Sequence, residues 1–130
     1  CNDAGVWGRG FVMALSRRWP EPESAYRVCF RIGDVALGAV RTVQVEPKLW
    51  VANMVAQKGI RGPGNPTPIR YESLAVCLAK VRVKALDLAA SVHMPRIGCG
   101  LAGGTWDRVE PLIVEHLAGV DVTVYDVTAP

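Results

Sequence analysis

Four of the seven residues from Gly98 to Gly104 are glycine, which removes the side chains that would keep an anion away from backbone N–H groups. Placed ahead of a helix, such a loop suits a diphosphate, held by main-chain amides and by the positive end of the helix dipole. It lacks the Gly-Lys-Ser/Thr of a Walker A loop and the G-x-G-x-x-G fingerprint of a dinucleotide site. Taken alone it also fits a flexible turn between strand and helix. Gly8-Arg9-Gly10 is a shorter loop of the same kind, weak by itself and stronger if it shares a sheet edge with the first. Asn2 and Asp3 precede it and offer groups for ribose hydroxyls, although both residue types also form turns.

Other reactive side chains carry less weight. Cys99 sits between two glycines, but no histidine lies near it in sequence, so it is read as a packed thiol rather than a nucleophile. His93, among apolar neighbours, reads as a core histidine. Tyr125 is placed either to stack on an adenine or to pack within a strand, and Trp7 and Trp106 flank the two glycine loops. Two histidines and four cysteines without C-x-x-C spacing assemble no zinc set, so no metal and no cofactor are expected.

The elements that must position these loops follow from periodicity. Phe11, Val12, Leu15 and Trp19 share a helical face, and Pro20-Glu21-Pro22 ends that helix. Ile32 to Val45 reads as a glycine-punctuated hairpin, and the apolar run Leu49 to Val55 as a parallel strand covered on both faces. Gly59 to Pro68 is a loop. Ile69 to Ala90 is an amphipathic helix, Ser91 to Ile97 a short buried strand, and Thr105 the cap of a helix closed by Gly119. Asp121 to Val127 is the last strand. This alternation indicates an open α/β sheet, whose ligands lie beyond the carboxyl ends of its strands. Since the first glycine loop has no strand before it, a strand upstream of Cys1 is expected to be missing.

The 130 residues suit a single domain, and 50% hydrophobic with 21% charged residues excludes a disordered chain. No apolar run approaches the ~20 residues of a membrane-spanning helix. A net charge of +3 from scattered basic residues argues against a nucleic-acid face but permits a small anionic ligand. The thiols, read as reduced, point to the cytoplasm.

Three separated segments, Cys1 to Gly10, Met54 to Gln57 and Ala90 to Gly100 with its Arg-Ile-Gly-Cys-Gly-Leu continuation, resemble the macrodomain family. They are similar above all to its chromatin-remodeller and terminal ADP-ribose protein glycohydrolase branches. The resemblance implies a three-layer α/β/α macrodomain with a mixed, mostly parallel sheet over residues 1–130, incomplete at its N-terminus. It implies a ribose side formed by Asn2, Asp3, Gly8, Arg9 and Gly10, and a diphosphate side formed by Gly98, Cys99, Gly100, Leu101, Ala102 and Gly103. Tyr125 and Asp126 would stand near the adenosine. Where the glycohydrolase branch carries a lysine and an aspartate, this chain has Gln57 and Ala102, which removes a Schiff-base route. The expectation is therefore a monomeric hydrolase that removes mono-ADP-ribose from acidic side chains of proteins, with Asp3 as base and Gln57 as positioning donor. The alternative is a non-catalytic reader of ADP-ribose. The expected partners are ADP-ribose and ADP-ribosylated proteins, with no membrane and no nucleic acid.

Overall fold

The computed structural model describes residues 1–126. The elements run α1 (Phe11–Arg18), α2 (Glu21–Arg31), β1 (Val40–Glu46), β2 (Leu49–Met54), α3 (Tyr71–Leu88), β3 (Val92–Pro95), α4 (Trp106–His116) and β4 (Val122–Tyr125). Among the described residues no helix is long and apolar enough to cross a membrane. Val127, the expected end of the last strand, lies outside the described residues.

The proline pair that stops α1 also starts α2. Pro20 is the N-cap and Pro22 lies in the first turn, where the missing N–H had no intrahelical partner to lose. Glu21 and Glu23 complement the positive helix end. Periodicity alone leaves α2 unassigned after the prolines, yet its buried Pro22, Tyr26 and Cys29 recur at helical spacing.

The strands differ from the sequence reading in the direction in which Leu49–Met54 pairs and in the bounds of the hairpin. Leu49–Met54 pairs antiparallel with Val40–Glu46, from Val40 opposite Met54 to Gln44 opposite Trp50. The hairpin is therefore β1–β2, turning at Pro47-Lys48, and residues 32–39 form a connection rather than its first strand. Only Asn53 of β2 is buried, so its apolar run was mistaken for a strand covered on both faces. β3 and β4 do pair in parallel, Val92 with Val122 through Pro95 with Tyr125.

Successive strand residues face opposite ways, and the end of β2 shows what that separates. Val55 packs with Trp7, Tyr26, Cys29 and Val35 on the α2 side. Ala56 packs with Ile69, Leu74, Cys77, Leu78, Met94, Val109 and Ile113 on the side of α3 and α4. Two apolar cores thus lie on opposite sides of the chain at Val55–Ala56, and the strands form two two-stranded sheets, antiparallel β1–β2 and parallel β3–β4, in place of one mostly parallel sheet. Leu74, Cys77, Leu78, Val81 and Ala85 supply the buried stripe of α3, whose end is closed by Ala89 in the left-handed region at φ 50°. α4 ends at His116, ahead of Gly119, and Thr105 holds its N-cap position without a side-chain cap bond.

Leu78 is fully buried, whereas Val114 on the outer face of α4 is 70% exposed. Leu78→Ala is expected to cost about 2–5 kcal/mol of unfolding free energy in urea titrations, and Val114→Ala less than about 0.5 kcal/mol.

Candidate active site

Main-chain hydrogen bonds that run across the chain direction tie the first residues of the chain to the 98–104 loop. The Asp3 N–H donates to the Gln57 carbonyl at 3.0 Å, and Asn2 forms a parallel bridge with Gln57. Gln57 also bridges Ile69 antiparallel, and Lys58 N–H donates to Pro68 O at 2.9 Å. The Ile69 N–H then donates to the Ala102 carbonyl at 3.0 Å. Four remote segments thus lie side by side, with Asp3 at one end and the 98–104 loop at the other.

Asn2 shapes the first loop from within. Its Oδ1 accepts the N–H groups of Ala4 (3.0 Å) and Val6 (3.2 Å), and its Nδ2 donates to Val6 O at 2.8 Å. The Tyr26 hydroxyl lies 2.6 Å from Asn2 O and 2.8 Å from Oδ1, and accepts Gly5 N–H at 3.1 Å. Burial raises the Tyr26 phenol above its ordinary range, which keeps its proton on this network. The Asn2 side chain thus braces its own loop, with Oδ1 shared by Ala4, Val6 and Tyr26 and one Nδ2 hydrogen used on Val6 O. Trp7 is buried and donates to Ser16 Oγ at 2.7 Å, so it belongs to the core beneath.

Asp3 and Gln57 are neighbours, both half-buried. One Asp3 oxygen accepts Gly59 N–H at 2.7 Å, while the other, like the Gln57 side chain, has no hydrogen-bond partner among the described residues. Lys58 and Arg61 are exposed on the loop between the two glycine loops and meet no acidic partner there.

In the second loop, Gly98 and Gly103 have φ of +74° and +78°. Gly103 N–H donates to Gly100 O (3.0 Å) and Gly104 N–H to Gly98 O (2.7 Å). The N–H groups of Gly98, Gly100, Leu101 and Ala102 have no partner among the described residues, as do those of Gly8, Arg9 and Gly10 in the first loop. A Cβ on Gly8, Gly10 or Gly100 would meet nothing within 4 Å, so this backbone is open to a ligand. Ala102 is different: its methyl belongs to the apolar core and only its N–H is free. Cys99 donates to Ile97 O at 3.4 Å, and burial pushes its thiol up, the opposite of an activated nucleophile.

Tyr125 and Asp126 stand at the carboxyl end of β4, beside the strand that feeds the 98–104 loop. Asp126 pairs with Arg96 at 2.6 Å, and the Arg96 guanidinium lies 5.0 Å from the Trp106 ring centre. His93 is exposed, not a core residue as its neighbours suggested. On the uncovered face of β3 its Nδ1 meets Tyr125 OH at 2.9 Å and its Nε2 meets Ser91 Oγ at 2.8 Å.

The solved macrodomain protein of Streptomyces coelicolor is 55% identical to this chain, superposes with a TM-score of 0.86, and is matched over 84% of its length by 98% of this one. This chain is a macrodomain. No family model matches it. Among curated relatives, the Chromodomain-helicase-DNA-binding protein 1-like of Danio rerio is 36% identical over 135 residues, 95% of this chain and 13% of that protein. The DNA ADP-ribosyl glycohydrolase of Mycobacterium tuberculosis is 31% identical over 130 residues, 95% of this macrodomain and 36% of the relative. The chain thus spans only about a third or less of these two proteins.

Open and closed glycines should respond differently to substitution. Gly100 is outside the left-handed region and faces open space, so Gly100→Val is expected to leave the melting temperature unchanged. Gly103→Ala places a Cβ 2.7 Å from Pro66 O at φ +78°, and calorimetric melting should show a loss of about 1–3 kcal/mol.

Proposed function

We propose that this macrodomain binds ADP-ribose and hydrolyses mono-ADP-ribose from acidic side chains of proteins. The observation that supports the reading is the set of unpartnered N–H groups on two glycine loops, with Asp3, Gln57 and Ala102 linked by one ladder of backbone bonds. Amides without side chains in front of them suit a diphosphate, and the 98–103 loop takes that role. The 2–10 loop, held in shape by Asn2, takes the distal ribose, and Tyr125 with Asp126 lies toward the adenosine.

This arrangement lets Asp3 act on water. The water oxygen bonds to C1″ of the distal ribose while the bond from C1″ to the ester oxygen breaks, its electron pair leaving on the acceptor carboxylate. The water proton passes to the free oxygen of Asp3, and the Gln57 amide holds the ribose or the water in line. The products are ADP-ribose and an unmodified carboxylate. Gln57 forms no Schiff base, so the rate comes from proximity and from the fixed amide dipoles around the charged ligand.

A second reading has a specific observation behind it. Lys58 and Arg61, exposed and without acidic partners on the loop beside Asp3, suit a phosphodiester chain carrying the ADP-ribose, and the mycobacterial relative is named for such a substrate.

Incubation with a glutamate-modified protein and, separately, with ADP-ribosylated DNA, alongside calorimetry with ADP-ribose, tests both. Release from the protein is expected, with Asp3→Ala slowing it by at least about 100-fold at retained affinity, and Gly100→Val abolishing uptake. Full release by Asp3→Ala removes the proposed base. Uptake with no release over many hours leaves a reader, and release from DNA alone supports the second reading.

A further inference from the structure

The segment between the two glycine loops ends in a feature that the proposed chemistry does not use. One Arg70 nitrogen, Nη1, donates to three consecutive carbonyls: Thr67 O at 2.7 Å, Pro68 O at 3.0 Å and Ile69 O at 3.0 Å. Carbonyl dipoles that converge on one point repel one another unless a cation sits among them. Arg70 meets no carboxylate among the described residues, so its charge is spent on this turn. Its backbone is equally constrained: its N–H donates to Ala56 O at 2.8 Å and its carbonyl accepts Leu74 N–H at 2.9 Å in the first turn of α3.

The turn that Arg70 holds is the mould for the phosphate loop. The Ile69 N–H bonds the Ala102 carbonyl, and the Ile69 side chain fills the space in which a Gly98 Cβ would lie, 2.8 Å from Cδ1. Pro66 O and Thr67 lie 2.7 and 3.0 Å from where a Gly103 Cβ would stand, so only glycine fits this approach. The 67–69 turn therefore packs closely against both glycines and is bonded to their loop through Ile69 and Ala102.

We propose that Arg70 is a positioning residue for the phosphate loop, acting through the 67–69 turn and touching no ligand itself; its link to binding rests on the ADP-ribose reading above. Hydrogen exchange by NMR tests the positioning without any ligand. In Arg70→Ala the amides of Ile69, Gly103 and Gly104 should exchange about tenfold faster, while Leu78 and Val81 in α3 keep their protection. The dissociation constant for ADP-ribose should rise about tenfold by calorimetry. Dilute guanidinium chloride should restore both in Arg70→Ala, and Arg70→Lys should keep most of the wild-type behaviour, since an ammonium also serves carbonyls. Unchanged exchange at the three loop amides, or an equal acceleration in α3, overturns the proposal, as does local loosening with unchanged ADP-ribose affinity. If the wild-type protein takes up no ADP-ribose, that reading fails by itself and the exchange measurement still decides the role of Arg70.

Discussion

The site depends on a short crosswise ladder of backbone hydrogen bonds, from Asp3 to Gln57, across the Gln57–Ile69 bridge, and from Ile69 to Ala102. Each bond contributes only about 1 kcal/mol net. Their effect lies in geometry, because they hold together segments that lie 12 to 54 residues apart in sequence. Without them the two glycine loops would be independent turns. With them, the 2–3 segment and the 98–104 loop are tied to one another through Gln57 and Ile69.

Satisfied and unsatisfied polar groups divide the labour around these loops. Asn2, Tyr26 and Arg70 spend their hydrogen-bonding capacity on backbone, fixing the loops before any ligand arrives. Gly8, Gly10 and Gly100 leave theirs open. An anion-binding site made of amides needs this division, since backbone dipoles favour a charge strongly only when they need not reorganise to meet it. The two apolar cores supply the rigidity beneath: Ile69 and Ala102 belong to one, and Tyr26 to the other.

Several features were legible in the residues. The stripe from Leu74 to Ala85 reads as a helix because its spacing is regular and long, and Gly98 to Gly104 reads as an irregular loop ahead of a helix because so many glycines fit no regular element. The α2 helix was hidden by its own prolines, which mark an end and a beginning with the same residues. The run Leu49 to Val55 misled because hydropathy reports burial on average, while the pairing direction of a strand depends on its neighbour in space. His93 misled for a related reason: apolar neighbours in sequence lie on the opposite face of a strand.

Residue types and local order alone determined that this chain forms α/β layers, that its glycine loops precede helices, and that no lysine stands at Gln57, because these depend on side-chain size, periodicity and chemical identity. Only the folded chain decided that Asp3 adjoins Gln57, that Asn2 braces its own loop, and that Arg70 bonds the 67–69 turn, whose residues pack against Gly98 and Gly103. Hydrogen bonds between distant segments leave no periodic trace in the order of residues. They exist once packing has brought those segments together.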